Sequence, residues 1–199
     1  MKMKTIKVKT YKFEELGKEA QEFAIEKYRE KMEFDLDFFA ENCQEQIKEA
    51  GFIELSRDGK PELRYSLSDC QGDGLSFTIK NLDVPAFIRA NKLKTRFMAL
   101  LKAYEDLGLF AEISLNDHRS YCHARSVSVF VDCQINDKLS AEADKLKEVI
   151  DEVRLDLCRK LEKQGYAEIE DQQSDESIKD FFIANGYAFL IDGKRSFYL

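Results

Sequence analysis

Residues 64–79 have the sequence RYSLSDCQGDGLSFTI. Polar and apolar residues alternate on both sides of its centre with the two-residue period of a β-strand. The centre holds two glycines beside an aspartate, and glycine accepts the positive backbone φ angles that tight turns require. The stretch therefore predicts two antiparallel strands joined by a tight polar turn, here called the QGDG turn (residues 71–74).

The composition is that of a folded chain with many solvated helices. The 199 residues can bury a substantial core, and 44% of them are hydrophobic, including 15 phenylalanines. Charged residues make up 35%, and there are only two prolines. We predict a single α+β domain over residues 1–199. It has an antiparallel sheet of several strands with amphipathic helices packed on it, and helices and a hairpin at the C-terminal end.

Periodicity and capping residues predict the other elements. The longest helix, over residues 140–163, carries apolar residues at spacings of three and four. We interpret this stripe as a face packed on the sheet, with a coiled-coil seam as the alternative. Further strands are predicted at residues 5–13, 52–55, 111–115 and 126–133, with a final hairpin over 187–198. Further helices are predicted after Gly17, after a cap at Asp35, at 84–88, over 92–107 as one helix, and after a cap at Ser174.

Charge, cysteines and hydropathy narrow the class of protein. No run of about 18 apolar residues occurs and the basic N-terminus lacks the apolar core of a signal peptide, which predicts a cytoplasmic protein without membrane contact. The five cysteines are scattered and form no CxxC pair, so we expect reduced thiols. A net charge of −7 disfavours nucleic-acid binding by the whole surface and suits a partner protein with a basic surface. Simple solubility also accounts for this charge.

Cysteine and histidine residues raise the question of a metal or catalytic site. His118 and His123 bracket Cys122, and Cys70 could join them if the fold brings the two regions together. Structural zinc sites need four ligands, usually in closely spaced pairs that this chain lacks. A cysteine-histidine nucleophilic pair is defined by spatial geometry, which a sequence does not show. We therefore predict no catalytic residue, no metal and no cofactor, with a Cys/His metal-dependent enzyme as the alternative.

The acidic residues of the central turn allow two interpretations. Asp69 and Asp73 flank Gly72 and could bind a cation, but aspartate and glycine are also the residues that tight turns favour. We interpret them as turn residues. The turn is not a phosphate-binding loop, because it lacks the GK[ST] ending and the following helix.

One stretch concentrates positive charge together with an aromatic residue, Phe97. Such a pattern can contact nucleic acid or an acidic partner, and it can also be an ordinary solvated surface. It supplies the candidate residues for the alternative of a nucleic-acid-binding protein. These residues are Lys80, Arg89, Lys92, Lys94 and Arg96.

Three blocks of the sequence resemble a widespread family of small bacteriophage accessory proteins, whose members are often labelled antitoxins of toxin–antitoxin stability systems. The most specific block is the QGDG turn followed by Ser76 and Phe77. Tyr121 and His123 match a Tyr-x-His pattern of that family, whereas Gly17 stands where its members usually have serine. The three blocks are residues 11–20 with 24–29, residues 65–77, and residues 157–163 ahead of 174–176.

The resemblance implies a phage or prophage origin and therefore the cytoplasm of a bacterial host. Proteins of that origin and size often bind and disable a host defence complex, such as a CRISPR effector, or a toxin. We expect a non-catalytic protein that binds a host protein or ribonucleoprotein complex and inhibits or neutralises it. The candidate partner-binding residues are Asp69, Gln71, Asp73, His118, Tyr121 and His123.

Overall fold

A computed structural model describes residues 8–55, 60–68, 70–107, 109–116, 121–132 and 137–196. Helices and antiparallel strands both occur, which confirms the predicted α+β class. The chain divides into two compact units, one of residues 1–35 with 167–199 and one of residues 36–166. Each unit has its own hydrophobic core. The single domain over residues 1–199 stays a prediction.

The hairpin predicted from the QGDG turn is present in the larger unit. Strand β2 (Glu62–Ser66) pairs antiparallel with β3 (Gly74–Thr78), and the register sets Ser66 opposite Gly74 beside the turn. Four of the five β3 residues are buried. The side chains of Leu75, Ser76 and Phe77 are all buried, so both faces of this strand lie inside the protein.

A second antiparallel hairpin continues from the first. It consists of β4 (Phe110–Leu115) and β5 (Val127–Asp132), close to the predicted strands. Ile79 and Ile113 exchange two backbone hydrogen bonds, of 2.9 and 2.8 Å, which connect β3 to β4. The predicted sheet therefore takes the form of paired hairpins. The strand predicted at 52–55 is reduced to an isolated bridge between Glu54 and Leu82.

Two helix predictions in this unit are wrong in detail. The helix predicted over 92–107 begins only at Met98. Its predicted first residue, Lys92, has a φ of 57°, which is not helical, and lies two residues after the end of the preceding helix. Asp35 does not cap the next helix, whose N-cap position is Leu36; the backbone of Asp35 is instead hydrogen-bonded to the Gln172 side chain. The helices are α2 (Asp37–Glu49), α3 (Val84–Ala90), α4 (Met98–Leu107) and α5 (Asp137–Gln172).

The apolar stripe of α5 lies against the core, as predicted. Leu146, Ile150 and Leu161 are fully buried and belong to the same hydrophobic cluster as Phe77 of β3. The helix extends to Gln172, beyond the predicted end at residue 163. Among the described residues, no helix is both long enough and apolar enough to cross a lipid bilayer.

The smaller unit packs two helices and a short pair of strands around phenylalanine rings. Strand β1 (Tyr11–Lys12) pairs with β6 (Ala188–Phe189). Of the strand predicted at 5–13, the described residues form a strand only at Tyr11–Lys12, and Phe13 begins a 3₁₀ turn. Residues 5–7 of that prediction lie outside the described residues. The centroid of the Phe13 ring lies 5.3 Å from that of Phe182 and 5.9 Å from that of Phe189. The helices are α1 (Lys18–Arg29) and α6 (Asp175–Ala184).

The capping and turn predictions at the C-terminal end are confirmed. Ser174 Oγ accepts a hydrogen bond of 3.1 Å from the backbone N–H of Ser177, as expected for an N-cap serine. Gly186 follows α6 with a φ of 61°. The final hairpin, predicted over 187–198, closes through a bridge between Phe189 and Arg195, and its residues 197–198 lie outside the described residues.

Candidate functional site

Asp73 closes the QGDG turn with its side chain. The carboxylate accepts hydrogen bonds from the Ser66 hydroxyl at 2.5 Å and from the backbone N–H groups of Ser68 and Cys70, each at 2.7 Å. These hydrogen bonds lower the pKa of the Asp73 carboxyl, and the one from the Ser66 hydroxyl has the largest effect. This arrangement supports the turn interpretation of Asp73. Asp69 lies outside the described residues.

The turn packs closely against residues 121–123. The backbone N–H of Cys122 donates a hydrogen bond of 2.8 Å to the carbonyl of Gly72. A Cβ at Gly72 would overlap the Tyr121 ring, so only glycine permits this approach. The structure therefore brings together two of the segments that the sequence indicated separately. His118, the remaining candidate, lies outside the described residues.

Tyr121 and His123 present a stacked pair of rings beside the turn. Their ring centroids are 5.7 Å apart, and both side chains are half-buried. His123 Nδ1 accepts a hydrogen bond of 3.2 Å from the N–H of Arg125, so the neutral ring carries its proton on Nε2. Gln71 is exposed at the tip of the turn. We call Gln71, Gly72, Tyr121 and His123 the turn platform.

Arg154 of α5 supports the segment that follows His123. Its side chain is only 2% exposed, and its Nη1 donates a 2.5 Å hydrogen bond to the carbonyl of Ala124. Its guanidinium also pairs with Asp151. Sequence analysis did not single out Arg154, although a signal exists. It lies four residues after Ile150 and four before Cys158, on the buried face of the helix.

The alternative of a metal-dependent enzyme gains no support from the residues that the structure describes. Among them, no group of three or more histidine, cysteine or acidic side chains is arranged to hold a metal ion. Cys70 is exposed and Cys122 is half-buried. His123 Nδ1 already accepts a hydrogen bond from the N–H of Arg125 in the adjoining 3₁₀ turn of residues 124–126.

Two buried thiols should be unreactive in the native protein. Burial raises the pKa of Cys43 and of Cys158 to about 12, and the thiolate is the reactive form of cysteine. At about pH 8, we expect Ellman's reagent to modify Cys70 and to leave Cys43 and Cys158 unmodified until denaturant is added. Mass spectrometry of the labelled peptides measures this. Equal labelling rates at Cys70 and Cys158 would contradict it.

The lowered pKa of Asp73 predicts how the turn responds to acid. Because the folded pKa is depressed, the stabilisation is present above the ordinary value of 3.8 and is lost as the pH falls through the folded value. The amide proton shifts of Ser68 and Cys70 should therefore titrate together, with a midpoint below 3.8. NMR measures the two amide proton shifts as the pH is lowered, and an Asp73→Asn variant should abolish the titration that they share. A midpoint at or above the ordinary value would refute the assignment.

The cationic stretch is exposed. The guanidinium of Arg96 lies 5.1 Å from the centroid of the Phe97 ring. Within the described parts of the chain, none of the five cations predicted from the sequence forms a salt bridge. These side chains are Lys80, Arg89, Lys92, Lys94 and Arg96, all of them exposed.

Comparison with known proteins gives one family match. A family model described as a domain of unknown function, DUF8835, matches residues 36–177. This range contains the whole turn platform and Arg154. No curated protein and no solved structure matches the chain.

Proposed function

Since this chain belongs to the DUF8835 family, for which no function is described, we propose that it is a non-catalytic protein that binds a host protein through the turn platform. The proposal takes the chain to be a phage or prophage accessory protein, as its resemblance implies. Binding then inhibits or neutralises the host protein, which is a defence complex such as a CRISPR effector, or a toxin.

The observation that carries this proposal is the close packing of the QGDG turn on residues 121–123. Three hydrogen bonds to Asp73 hold the turn, and the Cys122 N–H ties it to the neighbouring segment. A surface that is ordered before binding loses less conformational entropy when a partner docks. The QGDG turn is also the most specific block of the resemblance, so the same residues carry both arguments.

The side chains of the platform suit protein recognition. Tyrosine is among the residues that contribute most to binding at protein interfaces, because its ring is large and rigid and its hydroxyl can hydrogen-bond. The outer ring nitrogen of His123 and the amide of Gln71 add polar groups that can select a partner. These features support a contact surface of aromatic centre and polar margin.

Charge indicates which partner surface would fit. The chain has a net charge of −7. Close to the platform, the Asp73 carboxyl has a lowered pKa and is ionised at neutral pH. The Glu162 carboxylate also lies beside Gly74 of the turn: its Oε2 is 3.3 Å from the position that a Cβ on Gly74 would occupy. A partner with a basic patch would be attracted to this surface.

A surface substitution tests the platform without disturbing the fold. Gln71 is exposed, so Gln71→Arg should leave the stability unchanged while placing a cation against the basic partner. Quantitative affinity capture from lysate of a bacterial host would compare this variant with the wild type. We expect a discrete host protein that the wild type retains and Gln71→Arg retains at least about tenfold less. Ala141→Arg on α5 is the matched control, because it adds the same charge at another exposed position.

Two results would overturn the proposal. One is that the wild type retains no discrete protein at micromolar concentration. The other is that Gln71→Arg and Ala141→Arg lower retention to the same extent, since the effect would then come from net charge and not from the platform.

The exposed cationic stretch supports a second candidate function, nucleic-acid binding. Unpaired, solvent-exposed lysines and arginines are the groups that contact phosphates. This candidate predicts that labelled DNA or RNA binds the protein with an affinity that falls steeply as the salt concentration rises. It also predicts that the double variant Arg89→Glu with Lys94→Glu abolishes this binding in an electrophoretic mobility-shift experiment. Salt-dependent binding that these substitutions remove and Gln71→Arg leaves intact would favour nucleic acid over the host-protein proposal.

A further inference from the structure

A cavity of about 770 Å³ lies within the unit formed by residues 1–35 and 167–199. This volume falls within the range of about 300–1,000 Å³ that is typical of small-molecule sites. Helices α1 and α6 and the C-terminal hairpin form its walls. The apolar wall residues include Phe23, Ala24, Tyr28, Phe182, Phe189 and Leu190.

Positive charge borders these apolar walls. The described lining residues include four cations, Lys27, Lys31, Lys194 and Arg195, and no aspartate or glutamate. Lys27 is in a salt bridge with Glu30 at 2.7 Å, and Lys194 is in one with Asp192 at 2.8 Å. Lys31 has no salt bridge to any described residue. An anion at this cavity therefore meets at least one cation that no described acidic residue pairs with.

We propose that this cavity binds a linear amphipathic carboxylate of the fatty-acid class. The alkyl chain would contact the phenylalanine walls, where burial of apolar surface supplies most of the affinity. The carboxylate would accept a hydrogen bond from the Lys31 ammonium. A neutral apolar ligand would lack this ion pair, and a cationic ligand would be repelled by the cations that border the cavity. This inference does not depend on the turn platform, which lies in the other unit.

Titration calorimetry with dodecanoate, below its micelle concentration, tests this assignment. We expect saturable binding to the wild type and binding about tenfold weaker to Lys31→Glu, because the substitution replaces the attracting cation with a repelling anion. Lys31 is exposed, so this change should not unfold the protein. Lys179→Glu is the matched control: it makes the same charge change at an exposed position of α6 that does not line the cavity.

The head group of the ligand provides a second comparison. Dodecanol and dodecyltrimethylammonium have the same alkyl chain without the negative charge, and both should bind more weakly than dodecanoate. Equal binding of all three compounds would overturn the proposal in favour of a non-specific apolar surface. Absence of dodecanoate binding would also overturn it, as would equal weakening by Lys31→Glu and Lys179→Glu.

Discussion

Replacing Arg154 by alanine is expected to lower the free energy of unfolding by about 3 kcal/mol. The substitution leaves the carbonyl of Ala124 without its charged donor and removes a long side chain that is only 2% exposed. A charge-assisted hydrogen bond contributes about 1.5–3 kcal/mol, and the space left by the side chain adds to the loss. The side chain of Asp151 is 42% exposed, so water can solvate it after the change. Chemical denaturation followed by circular dichroism measures the effect.

Arg159→Ala is the matched control for this prediction. Arg159 lies on the same helix and pairs with Asp156 at the same spacing, but the two side chains are 59% and 71% exposed. Exposed pairs of this kind contribute about 0–1 kcal/mol. Similar losses of stability in the two variants would show that the burial of Arg154 is not what makes it important.

Arg154→Ala should also affect the turn platform. Arg154 donates a hydrogen bond to the carbonyl of Ala124, the first residue of the 3₁₀ turn that His123 caps. We therefore expect the variant to lose binding of the host protein under conditions where it is still folded. Under the same conditions, Arg159→Ala should bind as the wild type does.

Replacing Gly74 by alanine is expected to destabilise the protein by about 2–4 kcal/mol. Gly74 has a φ of 136°, a backbone conformation that other residues rarely adopt. A Cβ there would lie 2.8 Å from His123 Cα, so the backbone of residues 121–123 would have to move away from the hairpin. Denaturation measures the loss, and NMR shifts of Tyr121 and His123 report the displacement.

Gly186→Ala separates the two causes of this effect. Gly186 also has a positive φ, of 61°, but a Cβ there meets no atom within 4 Å. Strain alone should cost about 1 kcal/mol in that variant. If Gly74→Ala lowered the free energy of unfolding no more than Gly186→Ala, the close approach of β3 to His123 would not contribute to the destabilisation.

Local patterns in the sequence predicted a large part of the fold. The alternation around the QGDG turn predicted the central hairpin, Ser174 predicted a helix start, and the stripe of α5 predicted its buried face. Each of these rests on residues close together in the chain, whose spacing reflects the period of a helix or strand. The start of α4 at Met98, six residues later than predicted, was missed, because residues 92–97 contain no glycine or proline that would indicate a non-helical stretch.

For the candidate site, the sequence by itself determined which residues to consider. Turn chemistry indicated Asp73, the resemblance indicated Gln71 and Tyr121, and His123 came from both the cysteine and histidine residues and the resemblance. Only the tertiary structure decided that Tyr121 packs on Gly72, that Arg154 supports the adjoining segment, and that a cavity forms between α1, α6 and the last hairpin. The physical reason is that such contacts join residues far apart in the chain. Their geometry depends on how whole elements pack, which no local pattern encodes.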